Sequence, residues 1–191
     1  KTSFTGSDGV QYTVSLLGAH NAKNASFGIV LGELVGIKKE EIQHALKSLK
    51  LTGMRFEMLT GINGVSIIND AYNASPTSMM AAIEVVKQLE GIPTKILVLG
   101  DIYELGEQSK SMHKAVAEVI DDTIAHLYTV GEDSKVISDI VRNEYPQLVV
   151  KHFEQKEEVL DELKKHLNNE TLILFKASRG MKLESIIDKL K

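Results

Sequence analysis

The sequence predicts an α/β protein built on an open, mostly parallel sheet with helices on both faces, preceded by a small hairpin-plus-two-helix segment. Three observations carry this. Short apolar runs at 65–69, 95–99, 126–130, 148–153 and 171–175 read as buried strands. Amphipathic stretches at 76–90, 109–121, 134–144 and 156–167 separate them, and a last helix at 181–190 closes the chain. The three prolines and several glycines fall between these segments, where a chain changes direction.

From the N-terminus, residues 2–5 and the alternating run 11–16 form a hairpin across Gly6-Ser-Asp-Gly9. Helices follow at 21–35 and 39–48, broken by Gly36. A hairpin and two helices are too little for an independent core, so this segment reads as the tail of something larger, joined through a link at 51–54. Residues 55–59 pair with 65–69 through a turn containing Asn63-Gly64, a pair suited to two consecutive positive φ angles. Ser75 and Pro76 open the next helix as N-cap and first helical residue, and Gly91 stands where a left-handed C-terminal cap is wanted. Pro93 lies in the turn before the most apolar strand, and Pro146 stops the helix before it.

The 191 residues allow one domain, or one domain and part of another. Hydrophobic residues make up 43% and charged residues 25%, the balance of a soluble globular chain. A net charge of −4 argues against non-specific nucleic-acid binding. With no cysteine, a disulfide framework, a thiol nucleophile and a thiolate metal site are excluded, which fits a reducing cytoplasm. No apolar run approaches the roughly 18 residues of a membrane span, and the N-terminus has no signal-peptide layout. The chain begins at Lys1 rather than methionine and reads as a processed or excised piece.

Several loops carry residues suited to chemistry. In Gly18-Ala-His-Asn-Ala-Lys-Asn24, His20, Asn21 and Asn24 gather at a helix N-terminus, where free N–H groups favour an anion. Asparagine amides can read an adenine edge or hold a ribose, but Asn21 serves equally as a cap. Asn69-Asp-Ala-Tyr-Asn-Ala-Ser-Pro76 follows a strand and opens a helix, the place where ligands bind in open α/β sheets. Asp70 suits a ribose diol, and Tyr72 and Asn73 a substrate; an elaborate turn and cap would use the same residues. Arg55 is a lone cation beside the link, able to clamp phosphate or simply to lie on the surface. Asp101 and Glu104 in Gly100-Asp-Ile-Tyr-Glu-Leu-Gly106 suit metal ligation or acid–base work, or a turn. Ser178 and Arg179, after the last strand, suit a carboxylate or phosphate, or a cap. Neither a P-loop nor a nucleophile elbow is present. His44, His113, His126, His152 and His166 are scattered and read as surface or edge residues.

Taken in order, Gly18–Asn24, Gly53-Met-Arg-Phe-Glu57, Asn69–Pro76 with its Thr-Ser-Met continuation, Val98-Leu-Gly-Asp-Ile-Tyr-Glu-Leu-Gly106 and Phe175-Lys-Ala-Ser-Arg-Gly-Met181 resemble the Mur ligase family. Within it, they are most similar to the branch that joins D-alanyl-D-alanine to UDP-N-acetylmuramoyl-tripeptide in cytoplasmic peptidoglycan synthesis. The resemblance implies that residues 1–51 end a central ATP-binding domain and that 52–191 form a Rossmann-like C-terminal domain. It implies amide ligation driven by ATP with Mg2+ through an acyl phosphate. It places His20, Asn21, Asn24, Arg55 and Asp70 at ATP, and Tyr72, Asn73, Ser178 and Arg179 at the substrates. It assigns no metal ligand and no complete catalytic set to this chain, which is expected to be inactive alone and to need the missing domains. A folate-conjugating relative and a non-catalytic α/β nucleotide- or protein-binding module are the alternatives.

Overall fold

A computed structural model describes residues 1–49 and 53–191, which fall into two compact units, Lys1–Thr52 and Gly53–Lys191. The predicted link at 51–54 begins within residues 50–52, which lie outside the described residues.

In the first unit, β1 (Thr2–Thr5) and β2 (Gln11–Val14) pair antiparallel, with Phe4 opposite Tyr12. Two helices follow, α1 (Ala19–Leu34) and α2 (Lys39–Ser48). A small core forms from Tyr12, Val14, Ala25, Ile29, Ile42 and Leu46. Phe4 and Tyr12 stack with ring centroids 5.9 Å apart. Gly32 lies against Ile42, where a methyl group would meet the isoleucine side chain at 2.9 Å, so this glycine lets the two helices approach.

The second unit is a six-stranded sheet in the order β3-β4-β8-β5-β6-β7. Its strands are β3 (Glu57–Thr60), β4 (Ser66–Asp70), β5 (Thr94–Gly100), β6 (His126–Val130), β7 (Val149–Phe153) and β8 (Thr171–Lys176). All neighbours run parallel except β3, which forms a hairpin with β4. The turn of that hairpin holds Asn63 at φ 57 and Gly64 at φ 82, the two left-handed residues expected there. The helices are α3 (Pro76–Gln88), α4 (Ser109–Ala117), α5 (Lys135–Glu144), α6 (Lys156–Leu163) and α7 (Glu184–Ile187).

The connection order explains the layering. From β4 the chain advances across the sheet to β5, β6 and β7, then returns to insert β8 between β4 and β5. Right-handed crossovers place α3, α4 and α5 on one face and send α6 to the other. There α6 and α7 bury Val159, Leu163, Leu183, Ile186 and Ile187 against Ile67, Val98, Tyr128, Ile173 and Phe175. Strand alternation turns Ile68, Leu97, Leu99 and Leu174 to the opposite face, and these too are buried.

Two expectations need correction. The closing helix is shorter than 181–190: a 3-10 turn at Arg179–Met181 and left-handed Lys182 (φ 52) precede α7, because that segment must turn sharply off β8. His113 is fully buried rather than at a surface or edge. Its Nδ1 lies 2.8 Å from the Ser109 carbonyl and its Nε2 accepts the Ile102 N–H at 3.1 Å. Both ring nitrogens therefore have backbone partners, which is what allows an imidazole to sit in a core.

Candidate functional site

In the first unit the predicted group lies on the first two turns of α1, after Gly18 at φ 97. Asn21 is buried, and its amide donates to the Leu17 carbonyl at 2.8 Å, with His20 Nε2 at 3.1 Å. The bond to Leu17 ties the helix start to the strand–helix loop. Asn24, three residues on, lies at an exposed position. Thus Asn21 organises the turn while Asn24 faces outward.

In the second unit every predicted residue lies beyond the carboxyl end of a strand or beside one. Asp70 ends β4 and, in register beside it, Lys176 ends β8. The two side chains form an ion pair at 2.5 Å, with Lys176 only 2% exposed. The lysine also donates to the Asn73 carbonyl at 3.2 Å. The other Asp70 oxygen accepts the Phe56 N–H at 2.9 Å. A carboxylate has about four lone-pair positions, so these bonds leave room for a further donor.

The segment before β3 is bent by Met54 at φ 66 and Phe56 at φ 48. Its Met54 carbonyl accepts the Tyr72 N–H at 3.1 Å, and the Met54 N–H donates to Glu57 at 3.0 Å. This geometry lays the Arg55 guanidinium over the Tyr72 ring, 4.5 Å from its centroid. Asn73 turns its own side-chain oxygen back to the Ala74 N–H at 2.9 Å. Ser75 caps α3 by accepting from the Ser78 N–H at 3.2 Å.

Across β8, Ser178 is buried; its Oγ accepts the Tyr103 N–H at 2.8 Å and its N–H donates to the Asp101 carbonyl at 3.0 Å. Arg179 is exposed, with its guanidinium at Glu184 (3.2 Å) and at Met54 Sδ (2.8 Å). The structure therefore gathers Arg55, Asp70, Tyr72, Asn73 and Arg179 around the ends of β4 and β8, with Ser178 holding the adjoining loop to β5.

Asp101 is engaged in backbone bonding. Its carboxylate accepts the Ser134 N–H at 2.8 Å and the Glu132 N–H at 3.0 Å, which fastens the β6–α5 loop to the end of β5. Glu104 takes a left-handed conformation at φ 67 in an exposed turn. Turn and clamp are thus the roles the structure supports for this pair. Among the described residues, no group of three or more histidine or carboxylate side chains is arranged to hold a metal ion. Among the same residues, no helix is long and apolar enough to cross a membrane.

One residue of this site escaped the sequence reading. Lys176 stands inside a quoted motif but received no role. The available signal was its position: a lysine ending the apolar run Leu172–Phe175 must find a carboxylate or carbonyls, because an unpaired buried ammonium is too costly.

Residues 54–179 match the family described as "Mur ligase, glutamate ligase domain". Among curated proteins, the chain is 43% identical over 180 residues to the UDP-N-acetylmuramoyl-tripeptide--D-alanyl-D-alanine ligase of Bacillus subtilis, covering 94% of this chain and 39% of that protein. It is 30% identical to the protein of the same name from Escherichia coli, covering 95% and 39%. Among solved structures, MurF from Acinetobacter baumannii superposes with a TM-score of 0.81 at 27% identity, covering 95% of this chain and 40% of that one. At 23% identity, a MurF ligase of Thermotoga maritima in complex with ADP shares the fold with a TM-score of 0.79, covering 97% and 42%. The chain spans about two-fifths of the length of the curated relatives it matches.

Proposed function

This chain belongs to the Mur ligase family, and from that premise we propose that it is part of an ATP-dependent amide ligase that adds D-alanyl-D-alanine to UDP-N-acetylmuramoyl-tripeptide, a cytoplasmic cell-wall precursor. In that reading residues 1–51 end a central ATP-binding domain and 52–191 form the C-terminal domain. The remaining domains supply the rest of the site, and this chain alone is inactive.

The observation that carries the reading is the meeting of two motif loops, 69–76 and 176–181, at the carboxyl ends of adjacent strands, joined by the Asp70–Lys176 pair. Similarity to proteins named for this ligation supports the choice of substrates. In the reaction, the peptide carboxylate takes the γ-phosphoryl group of ATP, the dipeptide amine attacks the acyl phosphate, and phosphate leaves. Cations near the transferring oxygens stabilise the charge that develops.

Within this chain, Arg55, held over the Tyr72 ring, is a phosphate or ribose donor, and Asp70 accepts from the ribose hydroxyls. In the first unit, taken by itself, His20, Asn21 and Asn24 are the adenine-binding residues of this proposal. Tyr72, Asn73, Ser178 and Arg179 serve the dipeptide or the peptide carboxylate, with buried Ser178 acting mainly through its hold on the loop. Mg2+ bound with ATP would neutralise charge on the phosphate oxygens.

The test is ligation by the full-length protein, read as phosphate release that depends on both UDP-N-acetylmuramoyl-tripeptide and D-alanyl-D-alanine. Asp70→Ala should raise the KM for ATP by about tenfold or more, the worth of one charge-assisted hydrogen bond. No ligation, or a preference for a folate-linked glutamate acceptor, would overturn the reading.

A further inference from the structure

We propose that Lys176 is a positioning residue of this site, and that its buried ammonium sets the Arg55 arm and the Tyr72–Asn73 loop at a fixed separation. The proposal rests on the reading above that these two elements serve the nucleotide and the incoming dipeptide.

The geometry gives the ammonium two partners on one loop and, through one of them, a third on another. Directly, it bonds the Asp70 carboxylate at the end of β4 and the Asn73 carbonyl within the following loop. Through Asp70, whose second oxygen accepts the Phe56 N–H, it reaches the segment carrying Met54 and Arg55. That segment returns to the loop by the bond from the Tyr72 N–H to the Met54 carbonyl and by the Arg55–Tyr72 cation–π contact. The result is a closed ring of contacts: Lys176, Asp70, Phe56, Met54, Tyr72, Asn73 and back to Lys176.

Two features say that the ring is held from Lys176. Lysine side chains lose more rotamer freedom on burial than most, and here the Lys176 side chain is 2% exposed. Its position is also dictated by a strand in the middle of the sheet, with β4 on one side and β5 on the other, where Asp70 and Leu99 stand in register beside it. The Arg55 arm, by contrast, passes through left-handed Met54 and Phe56, conformations that need an external hold to persist. A rigid strand end thus sets the placement of a strained arm and an exposed loop. Proximity effects fall steeply with small displacements: a shift of about 1 Å can cost on the order of a hundredfold in rate.

The experiment uses the full-length ligase with Lys176→Met, which keeps the length and apolar stem of the side chain and removes its charge. The variant should fold, read by circular dichroism and thermal melting. Its KM values for ATP and for D-alanyl-D-alanine should both rise, with kcat/KM lower by about tenfold to a hundredfold. Arg55→Ala should move chiefly the ATP constant and Asn73→Ala chiefly the dipeptide constant, so a joint rise distinguishes a residue that sets both arms. A second measurement covers a variant that folds poorly: amide chemical shifts of Lys176→Arg, which keeps the charge, should change at Phe56, Tyr72 and Asn73 and stay constant at Glu132 and Ser134. A folded Lys176→Met with both constants within about twofold of wild type, or Lys176→Arg amide changes spread evenly over the sheet, would overturn the positioning role. A wild-type protein that does not ligate would instead overturn the functional reading, which keeps the two failures apart.

Discussion

Asp101→Ala should destabilise the second unit far more than a substitution of exposed Glu104 in the same loop. The carboxylate is 6% exposed and accepts two backbone N–H bonds, from Ser134 at 2.8 Å and Glu132 at 3.0 Å. Ser134 is fully buried, so its N–H would be left without a partner, at a cost of roughly 1–3 kcal/mol. Glu132 is exposed, and water can replace its bond, which limits that loss to about 1 kcal/mol or less. The total is about 1–4 kcal/mol. At roughly 2–4 °C per kcal/mol for a protein of this size, the melting temperature should fall by about 2–16 °C. Differential scanning calorimetry of this chain would measure it. Asp101→Asn keeps one acceptor and should lose about half as much. Glu104→Gly, at a left-handed exposed position, should be neutral or stabilise by up to about 1 kcal/mol. If Asp101→Ala melts within about 1 °C of the wild type, the clamp contributes nothing and the argument from buried N–H groups is wrong.

Three further outcomes can be measured on the same chain. Gly131→Ala should destabilise by at least about 2 kcal/mol in urea titrations, because the residue sits at φ 107 and the new methyl would lie 2.4 Å from the Asp101 carboxylate; an unchanged midpoint would contradict it. Ser75→Ala removes the α3 N-cap and should cost about 1 kcal/mol, whereas Ser75→Asn should be close to neutral. Burial, and for His126 the neighbouring His166 ring at a centroid distance of 4.2 Å, depresses both imidazoles below their ordinary value of 6.5. Their folded pKa values lie below the unfolded ones, so the unfolded chain binds more protons in that window. Their stabilisation is fully present above about pH 6.5 and is lost as pH falls through the depressed values. His166→Gln should flatten the fall in melting temperature below pH 6.5; an identical slope would exclude this pair as its source.

Much of the second unit was legible because its signals are local. The strand at 126–130 and the start of α3 at Pro76 appear where the short apolar run and cap chemistry put them. The Asn63-Gly64 turn followed from two residues tolerant of positive φ. His113 was missed although a local signal existed: with Val116 and Ala117 at i+3 and i+4 it shares the buried face of α4. Its burial depends on the Ile102 N–H, which comes from a loop eleven residues earlier, so residue type alone pointed to the surface. The final helix was overestimated because its apolar spacing continues through a segment that instead turns in 3-10 geometry off β8.

By itself, then, the sequence determined the alternation of strands and helices and the placing of polar motifs at strand ends, since period and capping act over a few residues. It also carried the resemblance, through the order of those motifs along the chain. Only the tertiary structure decided that β8 inserts between β4 and β5. That insertion sets Lys176 beside Asp70, 106 residues away, and converts Asp70 from an isolated loop carboxylate into one arm of a buried ion pair. The physical reason is that strand order depends on which non-local pairing buries the most apolar surface with its backbone bonds satisfied. No window of neighbouring residues contains that information.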